Sequence, residues 1–241
     1  MKIKSWLPLL ALCFCACQHV SSNDKMLSLT EKRERAVFQQ IDSLKRLAHE
    51  GDLLVRLTDD FVSAQVRLIN EKEKLYSHAG LLFKNTNDDW VVYNISPDEN
   101  GGDTLKYTPL NTFIDPSKNI SCALYRYNLQ PGEAGKLKNT LDLYKNNGLV
   151  FDWDYDLQTN QKMYCAEMIA SALYKSTSQR IVIDTGIIPK NMLKNVRMFF
   201  KDANLTEEEI AQRKIIAIDH LYLRPDCKKI TAFTLKYFPG E

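Results

Sequence analysis

The chain has 241 residues and a nearly balanced charge, with 32 Lys and Arg residues against 30 Asp and Glu residues. No basic stripe with interleaved aromatic residues stands out, which argues against a nucleic acid as a partner. Removal of the N-terminal segment described next leaves about 225 residues, enough for one domain with a sizeable core.

The first 17 residues have the pattern of a lipoprotein signal peptide. A short basic start precedes the apolar stretch 6–17, which is shorter than the about 20 apolar residues that a membrane-spanning helix needs. The small residue Ala16 stands before Cys17, so we expect cleavage between them and lipidation of Cys17. An ordinary secretory signal and an uncleaved anchor are the alternatives.

The predicted lipid on Cys17 places the mature protein in the cell envelope, periplasmic or surface-exposed, in contact with the membrane through that anchor. Gln18 stands where some bacteria use an aspartate for retention in the inner membrane, which slightly favours the outer membrane. The sequence thus divides into a signal peptide (1–17), a tether with an amphipathic helix (18–50) and a folded domain (51–241).

The first predicted elements are a helix and a strand. Ser28 and Glu31 have the spacing of a capping box, and apolar residues recur three or four positions apart through 37–47, as on one face of a helix. Gly51 suits the left-handed position that follows a helix. A short apolar strand is predicted at 53–57.

Strands and helices then share the rest of the chain. Residues 77–83 and 90–95 read as two strands, and the Asn- and Asp-rich linker between them fits a hairpin. Strands clustered around helices predict an α+β fold with a mostly antiparallel sheet packed against helices. The other predicted elements are helices at 59–70, 131–146, 163–175 and 189–200, and strands at 120–127, 215–223 and 230–238.

Three cysteines lie in the predicted folded domain, at positions 122, 165 and 227. An odd number in an oxidising compartment leaves at least one thiol unpaired. Cys122 lies in an apolar strand, which predicts a buried and inert thiol, and Cys227 follows a turn sequence. A disulfide between Cys122 and Cys227 is compatible with the sequence, which leaves Cys165 as the candidate for a reactive thiol.

Cys165 lies at the predicted start of a helix. The positive end of the helix dipole favours a thiolate there, and the unpaired backbone N–H of the same residue can donate to an oxyanion. We therefore predict a nucleophile with a lowered pKa. Its alkylation should continue well below the free-thiol pKa of about 8.5.

A nucleophilic thiol also needs a base and a group that holds the base. His78, at the start of a predicted strand, is the best base among the four histidines, and His220 is its main competitor. Asn94 lies sixteen residues after His78 on the second arm of the hairpin, and an amide can hold an imidazole without adding charge. Asp98 and Glu99 in the following loop are alternatives for this role.

Further polar residues surround the predicted nucleophile. Glu167 lies two residues after Cys165, so the helix turns it roughly 200° away and predicts a structural role. Asp154, Tyr155 and Tyr164 are candidates to line a substrate-binding mouth. The acidic run around Asp154 lacks the glycine and glutamate of a calcium loop, and no close pair of His or Cys residues suggests zinc. We therefore predict neither a metal nor another cofactor.

Three short motifs, taken in order, resemble the permuted papain-like amidases of the NlpC superfamily, the YaeF/YiiX-like group. They are Gly-Asp-Leu-Leu at 51–54, Ser-His-Ala-Gly at 77–80 and Tyr-Cys-Ala-Glu at 164–167. The histidine precedes the cysteine, as in the permuted group and in the lecithin retinol acyltransferase-like relatives. The resemblance covers about 51–223.

This resemblance implies a circularly permuted papain-like fold with Cys165 as nucleophile and His78 as base. The third polar residue falls on the strand after the histidine, where similar members often have a glutamate and this chain offers Asn94. Ala166 stands where a serine is common.

The activity implied by the resemblance is that of a cysteine amidase or peptidase that forms a thioester intermediate. The expected substrate is a cell-wall peptide or a related envelope amide. One alternative is a lipid-directed acyltransferase or hydrolase of the same fold, and another is an inert envelope lipoprotein that binds a ligand. The sequence predicts no oligomeric state.

Overall fold

The computed structural model of the protein describes residues 28–97, 102–200 and 205–236. The predicted signal peptide with Cys17, and the loop residues Asp98 and Glu99, lie outside these ranges. Among the residues inside them, no helix is both long enough and apolar enough to cross a bilayer.

Antiparallel strands form the centre of the fold. They are β1 (Asp52–Thr58), β2 (His78–Lys84), β3 (Trp90–Ile95), β4 (Leu105–Pro109), β5 (Asn119–Tyr127), β6 (Gly186–Ile187), β7 (Lys214–Ile215) and β8 (Cys227–Thr234). Six of them make one sheet in the order β4-β3-β2-β1-β5-β8, and β6 pairs with β7 in a small separate sheet. The predicted α+β class with a mostly antiparallel sheet is confirmed.

Helices of very different lengths surround the sheet. They are α1 (Leu29–Leu47), α2 (Phe61–Val66), α3 (Leu110–Phe113), α4 (Glu133–Asn146), α5 (Cys165–Ser176), α6 (Leu193–Val196), α7 (Glu207–Gln212) and α8 (Ile218–Tyr222). Short 3₁₀ turns lie at 67–69, 190–192 and 197–199. The helices α1, α4 and α5 are the long ones, and the segments between 186 and 222 are short.

The alternation of side chains along the central strands divides the core into layers. On one face of the sheet, Val55 and Leu81 belong to the same buried cluster as the apolar side of α5. On the other face, Leu54 and Leu82 belong to the cluster that contains the apolar side of α1. A third cluster is formed by the short segments between 188 and 215, with side chains of α2 packed against it.

Two local predictions are confirmed in atomic detail. At the start of α1, the Ser28 hydroxyl accepts a hydrogen bond from the Glu31 N–H at 3.2 Å, and the Glu31 carboxylate accepts one from the Ser28 N–H at 2.8 Å. Gly51 has a φ of 86°, which a residue with a Cβ rarely adopts. The predicted hairpin is also present, because β2 and β3 pair directly.

The predicted strand at 215–223 is wrong for most of its length, since α8 occupies this segment. Its apolar residues are spaced closely enough to satisfy either a strand or a helix period. The contacts of Asp219 explain the outcome, because its buried carboxylate accepts hydrogen bonds from the backbone N–H of Lys72 at 2.6 Å and of Glu73 at 3.2 Å. The helical turn is thus tied to the loop before β2.

Two other predicted elements differ from the structure, and two elements of the structure were not predicted. The predicted helix at 189–200 consists of two 3₁₀ turns around the four-residue α6. The strand predicted at 230–238 begins earlier, at Cys227, and ends at Thr234. Neither β4 nor α7 was predicted, because β4 alternates short polar and apolar residues beside a loop and α7 has little apolar periodicity.

The three thiols of the folded domain are free, so a disulfide between Cys122 and Cys227 is excluded. In the β5–β8 ladder, Cys122 lies opposite Phe233 and Cys227 lies opposite Tyr127, at the two ends of the strand pair. Cys122 is fully buried, as predicted, and burial raises its pKa. It is therefore an inert core residue.

Candidate active site

A cavity of about 580 Å³ opens where the end of β1, the start of β2 and the start of α5 meet. Cys165 and His78, the predicted nucleophile and base, both line this cavity. Most of its wall is apolar and comes from the short segments of the third cluster and from α2. Among these apolar wall residues are Val66, Ile69, Ile188, Phe199, Phe200 and Ile215.

Cys165 is the first residue of α5, and only 9% of its surface is exposed. The backbone N–H groups of Ala79, Ala166 and Cys165 itself lie close enough to the sulfur to favour its thiolate form. Two of these donors belong to the first turn of α5, where N–H groups lack helical partners. The third belongs to the residue after His78, so the start of β2 lies beside the sulfur.

The protonation of Cys165 differs from the sequence prediction. Burial raises the pKa of this thiol to about 11, although the three N–H groups and the positive charge of Arg56 act in the opposite direction. The prediction of a lowered pKa considered the helix dipole and not the depth of burial, and burial has the larger effect. The protein therefore holds a neutral thiol at neutral pH.

The His78 ring is held by Asn94. Its Nε2 lies 3.3 Å from Asn94 Oδ1, and the amide nitrogen of Asn94 donates to the Val92 carbonyl at 3.0 Å and to the Thr108 hydroxyl at 2.9 Å. A carbonyl can only accept, so the amide oxygen must face the imidazole. His78 then carries its proton on Nε2, and Nδ1 is left as the basic nitrogen.

His78 is neutral as well. Burial lowers the pKa of its imidazole to about 3, and the nearby Arg56 charge adds to this effect, whereas the hydrogen bond that His78 donates to Asn94 opposes it. In the described part of the chain, no hydrogen bond joins the Cys165 sulfur to the His78 ring. A neutral thiol and a neutral imidazole in one cavity suit general-base activation during attack better than a preformed ion pair.

Arg56 is a site residue that the sequence prediction missed. It lies on β1 directly opposite His78 in the β1–β2 ladder and lines the cavity. Its guanidinium stacks 4.1 Å from the centre of the Phe113 ring, and its Nη1 donates to the Phe113 carbonyl. The available signal was a single arginine inside the otherwise apolar strand at 53–57.

Gly80 brings the two strands of the site close together. A Cβ at this position would lie 2.4 Å from Val92 Cγ1 and 2.9 Å from the Tyr93 carbonyl oxygen. Such contacts are shorter than real side chains make, so β2 and β3 approach each other here only because residue 80 is a glycine. This spacing sets the distance between His78 and Asn94.

The three residues predicted to line a substrate mouth have different positions. Tyr155 and Tyr164 line the cavity with ring centres 5.2 Å apart, and the Tyr164 hydroxyl accepts a hydrogen bond from the Ile216 N–H at 2.7 Å. Asp154 is not among the lining residues, and its carboxylate lies 4.0 Å from Lys162 Nζ. The tyrosines therefore form part of the wall, and Asp154 lies behind it.

Glu167 has the structural position that its spacing predicted. Its carboxylate accepts a hydrogen bond from the Tyr164 N–H at 3.3 Å at the start of α5. Burial raises its pKa to about 8, and the charge of Asp152 adds to this rise. Glu167 thus holds the first turn of α5, which carries Cys165, and takes no position in the cavity wall.

His220, the competing histidine, lies away from the cavity wall. It is part of α8, where its Nδ1 lies 3.1 Å from the Asp184 carbonyl oxygen and its Nε2 lies 3.5 Å from a Glu71 carboxylate oxygen. These contacts give it a local structural role. The geometry therefore favours His78 over His220 as the base.

Loss of the Asn94 amide is expected to reduce turnover without unfolding the protein. In Asn94→Ala the imidazole loses its acceptor at Nε2, and we expect kcat/KM to fall by about 10²-fold, because small misplacements of a catalytic group have effects of this size. Thr108→Val, which removes a hydroxyl that holds the amide, should give a smaller loss in the same direction. An unchanged kcat/KM in Asn94→Ala, with thermal unfolding as the check on folding, would contradict this role.

Alkylation of Cys165 by iodoacetamide is expected to accelerate through pH 8–10 without a plateau near neutrality. Below the pKa of the thiol, the thiolate fraction rises about tenfold per pH unit. The rate is measured by mass spectrometry of the peptide that contains Cys165. Arg56→Gln, which removes a charge that lowers this pKa, should shift the curve to higher pH. A plateau reached by pH 7 would mean that the sulfur is a preformed thiolate.

Comparison with known proteins shows which family the chain belongs to. The family model for permuted papain-like amidase enzymes, YaeF/YiiX, C92 family, matches residues 48–217. Among solved structures, the chain is similar to one described as the metalloprotein YiiX from Escherichia coli O157:H7, with a TM-score of 0.60 and 15% sequence identity over 77% of this chain and 97% of that one. No curated protein matches.

The similarity to the YiiX structure supports the circularly permuted papain-like fold. In the ranges that the structure describes here, no group of three or more His, Cys, Asp or Glu residues is placed to hold a metal ion. The matched family segment contains β1, β2, β3 and α5, and with them Arg56, His78, Asn94 and Cys165. This chain belongs to the family of permuted papain-like amidases, YaeF/YiiX, C92, and is a cysteine-type hydrolase by its family.

Proposed function

We propose that this protein is a cysteine amidase in which Cys165 attacks the acyl carbon, His78 acts as the base and Asn94 orients the imidazole. The observation that carries this proposal is the cavity shared by Cys165 and His78, with the Ala79 N–H beside the sulfur. Two side chains of the cavity wall, among the described residues, can accept a proton at neutral pH. They are the neutral imidazole of His78 and the carboxylate of Asp60, which caps α2.

The reaction follows from these groups. His78 Nδ1 accepts the thiol proton while the sulfur of Cys165 bonds to the carbonyl carbon, and the backbone N–H groups beside the sulfur stabilise the oxyanion. The C–N bond then breaks, and the imidazolium gives its proton to the leaving amine. Water, activated by the same imidazole, hydrolyses the thioester, which releases the carboxylic acid and restores the thiol.

The lining of the cavity bears on the substrate. A cell-wall peptide, expected from the envelope location, would present mostly polar groups, whereas the wall formed by α2 and by residues of the third cluster is mostly apolar. Apolar cavities of this size bind apolar groups through burial of their surface. The geometry thus favours an amide whose acyl group is a hydrocarbon chain. Such a substrate is close to that of the lipid-directed alternative.

A panel of N-acyl p-nitroanilides tests this function. We expect kcat/KM to rise by roughly fourfold for each CH₂ added between acetyl and decanoyl, since each buried CH₂ contributes about 0.8 kcal/mol. A short cell-wall tripeptide amide serves as the comparison. Equal rates across the acyl series, together with faster hydrolysis of the peptide, would favour the peptide substrate. No release of p-nitroaniline or peptide product by the folded protein would favour the inert binding lipoprotein.

The proposed location rests on Cys17, since its lipid would carry the domain to the envelope membrane. Cys17→Ser should move the protein from the membrane fraction to the soluble fraction of the envelope, without changing activity in detergent. Retention of this variant in the membrane fraction would contradict lipidation at this position.

The thioester can also transfer its acyl group to an alcohol or an amine. Mass spectrometry of reactions with added glycerol or ethanolamine would reveal such products.

A further inference from the structure

Most residues of the cavity wall are apolar, and the polar minority includes Arg56, Ser77 and His78. Of the described residues that line it, Arg56 and Asp60 are the two with a formal charge at neutral pH. The Asp60 carboxylate accepts hydrogen bonds from the Ser63 N–H at 2.7 Å and from the Ser63 hydroxyl at 2.9 Å, and so caps α2. The negative charge of Asp60 acts on Arg56 only at longer range, because the two form no ion pair.

The Arg56 guanidinium has a nitrogen without a hydrogen-bond partner. Its Nη1 donates to the Phe113 carbonyl, but its buried Nε makes no hydrogen bond, and no carboxylate of the described residues lies within 4 Å of it. Burial lowers the pKa of Arg56 only to about 10, so the group is charged at neutral pH. A buried cation without a counterion is costly and is rarely retained without a role.

Two other arginines of this protein show what such a nitrogen normally binds. Arg126 donates from Nε and Nη2 to the two oxygens of the Asp52 carboxylate, both at 2.7 Å. Arg224 makes the same two-bond contact with the Asp226 carboxylate, at 2.5 and 2.8 Å. The planar guanidinium fork matches a carboxylate in this arrangement. The Nε of Arg56 has no such acceptor among the described residues.

A second group without a partner belongs to the residue that directly precedes His78. The buried hydroxyl of Ser77 lines the same cavity and makes no hydrogen bond. The backbone N–H of Ser77 donates to the Arg56 carbonyl at 3.0 Å, so the two residues are direct neighbours across the start of β2. Native proteins leave few buried polar atoms unpaired, and two of them on residues that line one cavity together with Cys165 indicate a place for a polar ligand group.

We infer that Arg56, assisted by Ser77, binds a carboxylate of the substrate, and that the substrate class is an N-acyl amino acid. The hydrocarbon chain lies against the apolar wall, the amide lies at Cys165, and the carboxylate of the leaving amino acid meets the Nε–Nη2 edge of Arg56. A small rotation of the guanidinium turns the shielded Nε toward the cavity. This inference rests on the proposed amidase function. It adds that the substrate carries a negative charge on its carboxylate.

Ligand binding to the Cys165→Ala variant tests the inference without turnover. Calorimetry compares N-dodecanoylglycine with its uncharged methylamide at pH 7. The acid should bind at least tenfold more tightly, and in Cys165→Ala with Arg56→Gln the two ligands should bind within twofold of each other. Arg56→Lys, which keeps the charge but lacks the fork, should give an intermediate preference. Arg46→Gln, a change of an exposed arginine on α1, should keep the full preference.

The outcomes separate this inference from the proposed function. Equal binding of the acid and the methylamide, or a preference for the acid that survives Arg56→Gln, would overturn the carboxylate site. If wild type still hydrolyses N-acyl amides in that case, the amidase function stands. Conversely, an acid preference that depends on Arg56, in a wild-type protein that hydrolyses none of these compounds, would preserve the binding site and remove the proposed reaction. Thermal unfolding of each variant confirms that it is folded.

Discussion

Cys165→Ala is expected to lower kcat/KM for an N-acyl amide by roughly 10³-fold or more, because loss of the nucleophile removes the covalent route and leaves only binding and oxyanion contacts. The substitution exchanges a small buried side chain for a smaller one, so the fold should persist. The measurement is the rate of p-nitroaniline release from the decanoyl substrate. Intact mass of the wild type, quenched during turnover, should show one added acyl group that the variant lacks.

The matched control is Cys122→Ala, which also removes a buried free thiol but lies in the core on β5. We expect this variant to keep its kcat/KM and to lose about 1 kcal/mol of unfolding free energy. Equal losses of activity in both variants would mean that the effect reports stability and not chemistry. An acyl adduct that persists in Cys165→Ala would place the nucleophile elsewhere.

His78→Gln is expected to lower kcat/KM by about 10²- to 10⁴-fold, the usual contribution of a positioned general base. The pH profile of the wild type gives a sharper result. A base must be unprotonated to act, and the lowered pKa of His78, about 3, keeps it unprotonated at all higher pH. Activity should therefore stay constant from pH 8 down to pH 5, and the acidic limb should lie near pH 3 to 4 if the fold survives there.

His220→Gln is the control for this prediction, since it changes the other histidine of the folded core outside the cavity wall. We expect it to keep both the rate and the pH profile. An acidic limb near the ordinary histidine pKa of about 6.5 would show that His78 is more exposed to water in solution than its position here implies. Loss of activity in His220→Gln with retention in His78→Gln would reverse the assignment of the base.

Features encoded by neighbouring residues were predictable from the sequence. The capping box at Ser28 and Glu31, the turn at Gly51 and the hairpin of β2 and β3 depend on contacts within a few positions, and each is present. The order of the short motifs predicted that Cys165 and His78 would line one cavity. In the structure, the start of β2, which carries His78, lies beside the start of α5, which carries Cys165.

Features that depend on packing were not predictable. The apolar residues of α8 fit the period of a strand as well as that of a helix. The hydrogen bonds that Asp219 accepts from a loop distant in sequence favour the helix. The predicted shift of the Cys165 pKa had the wrong sign, because the depth of burial depends on the strands and short segments around the helix start. Thr108 carries no local signal for its role, and the lone arginine in the apolar strand at 53–57 does not reveal what Arg56 contacts. Both roles arise only when β1, β2, β3 and β4 align in register.

The close approach of β2 and β3 at Gly80 limits how this enzyme can diversify. No side chain can be added on that side without separating the imidazole from the amide that holds it, so one half of the active centre is fixed in size. The opposite half is built from the short segments between 188 and 200, where Ile188, Phe199 and Phe200 can be exchanged without touching β2 or β3. Selection for longer, shorter or branched acyl chains should therefore accumulate substitutions in that half alone, and leave the reaction chemistry unchanged.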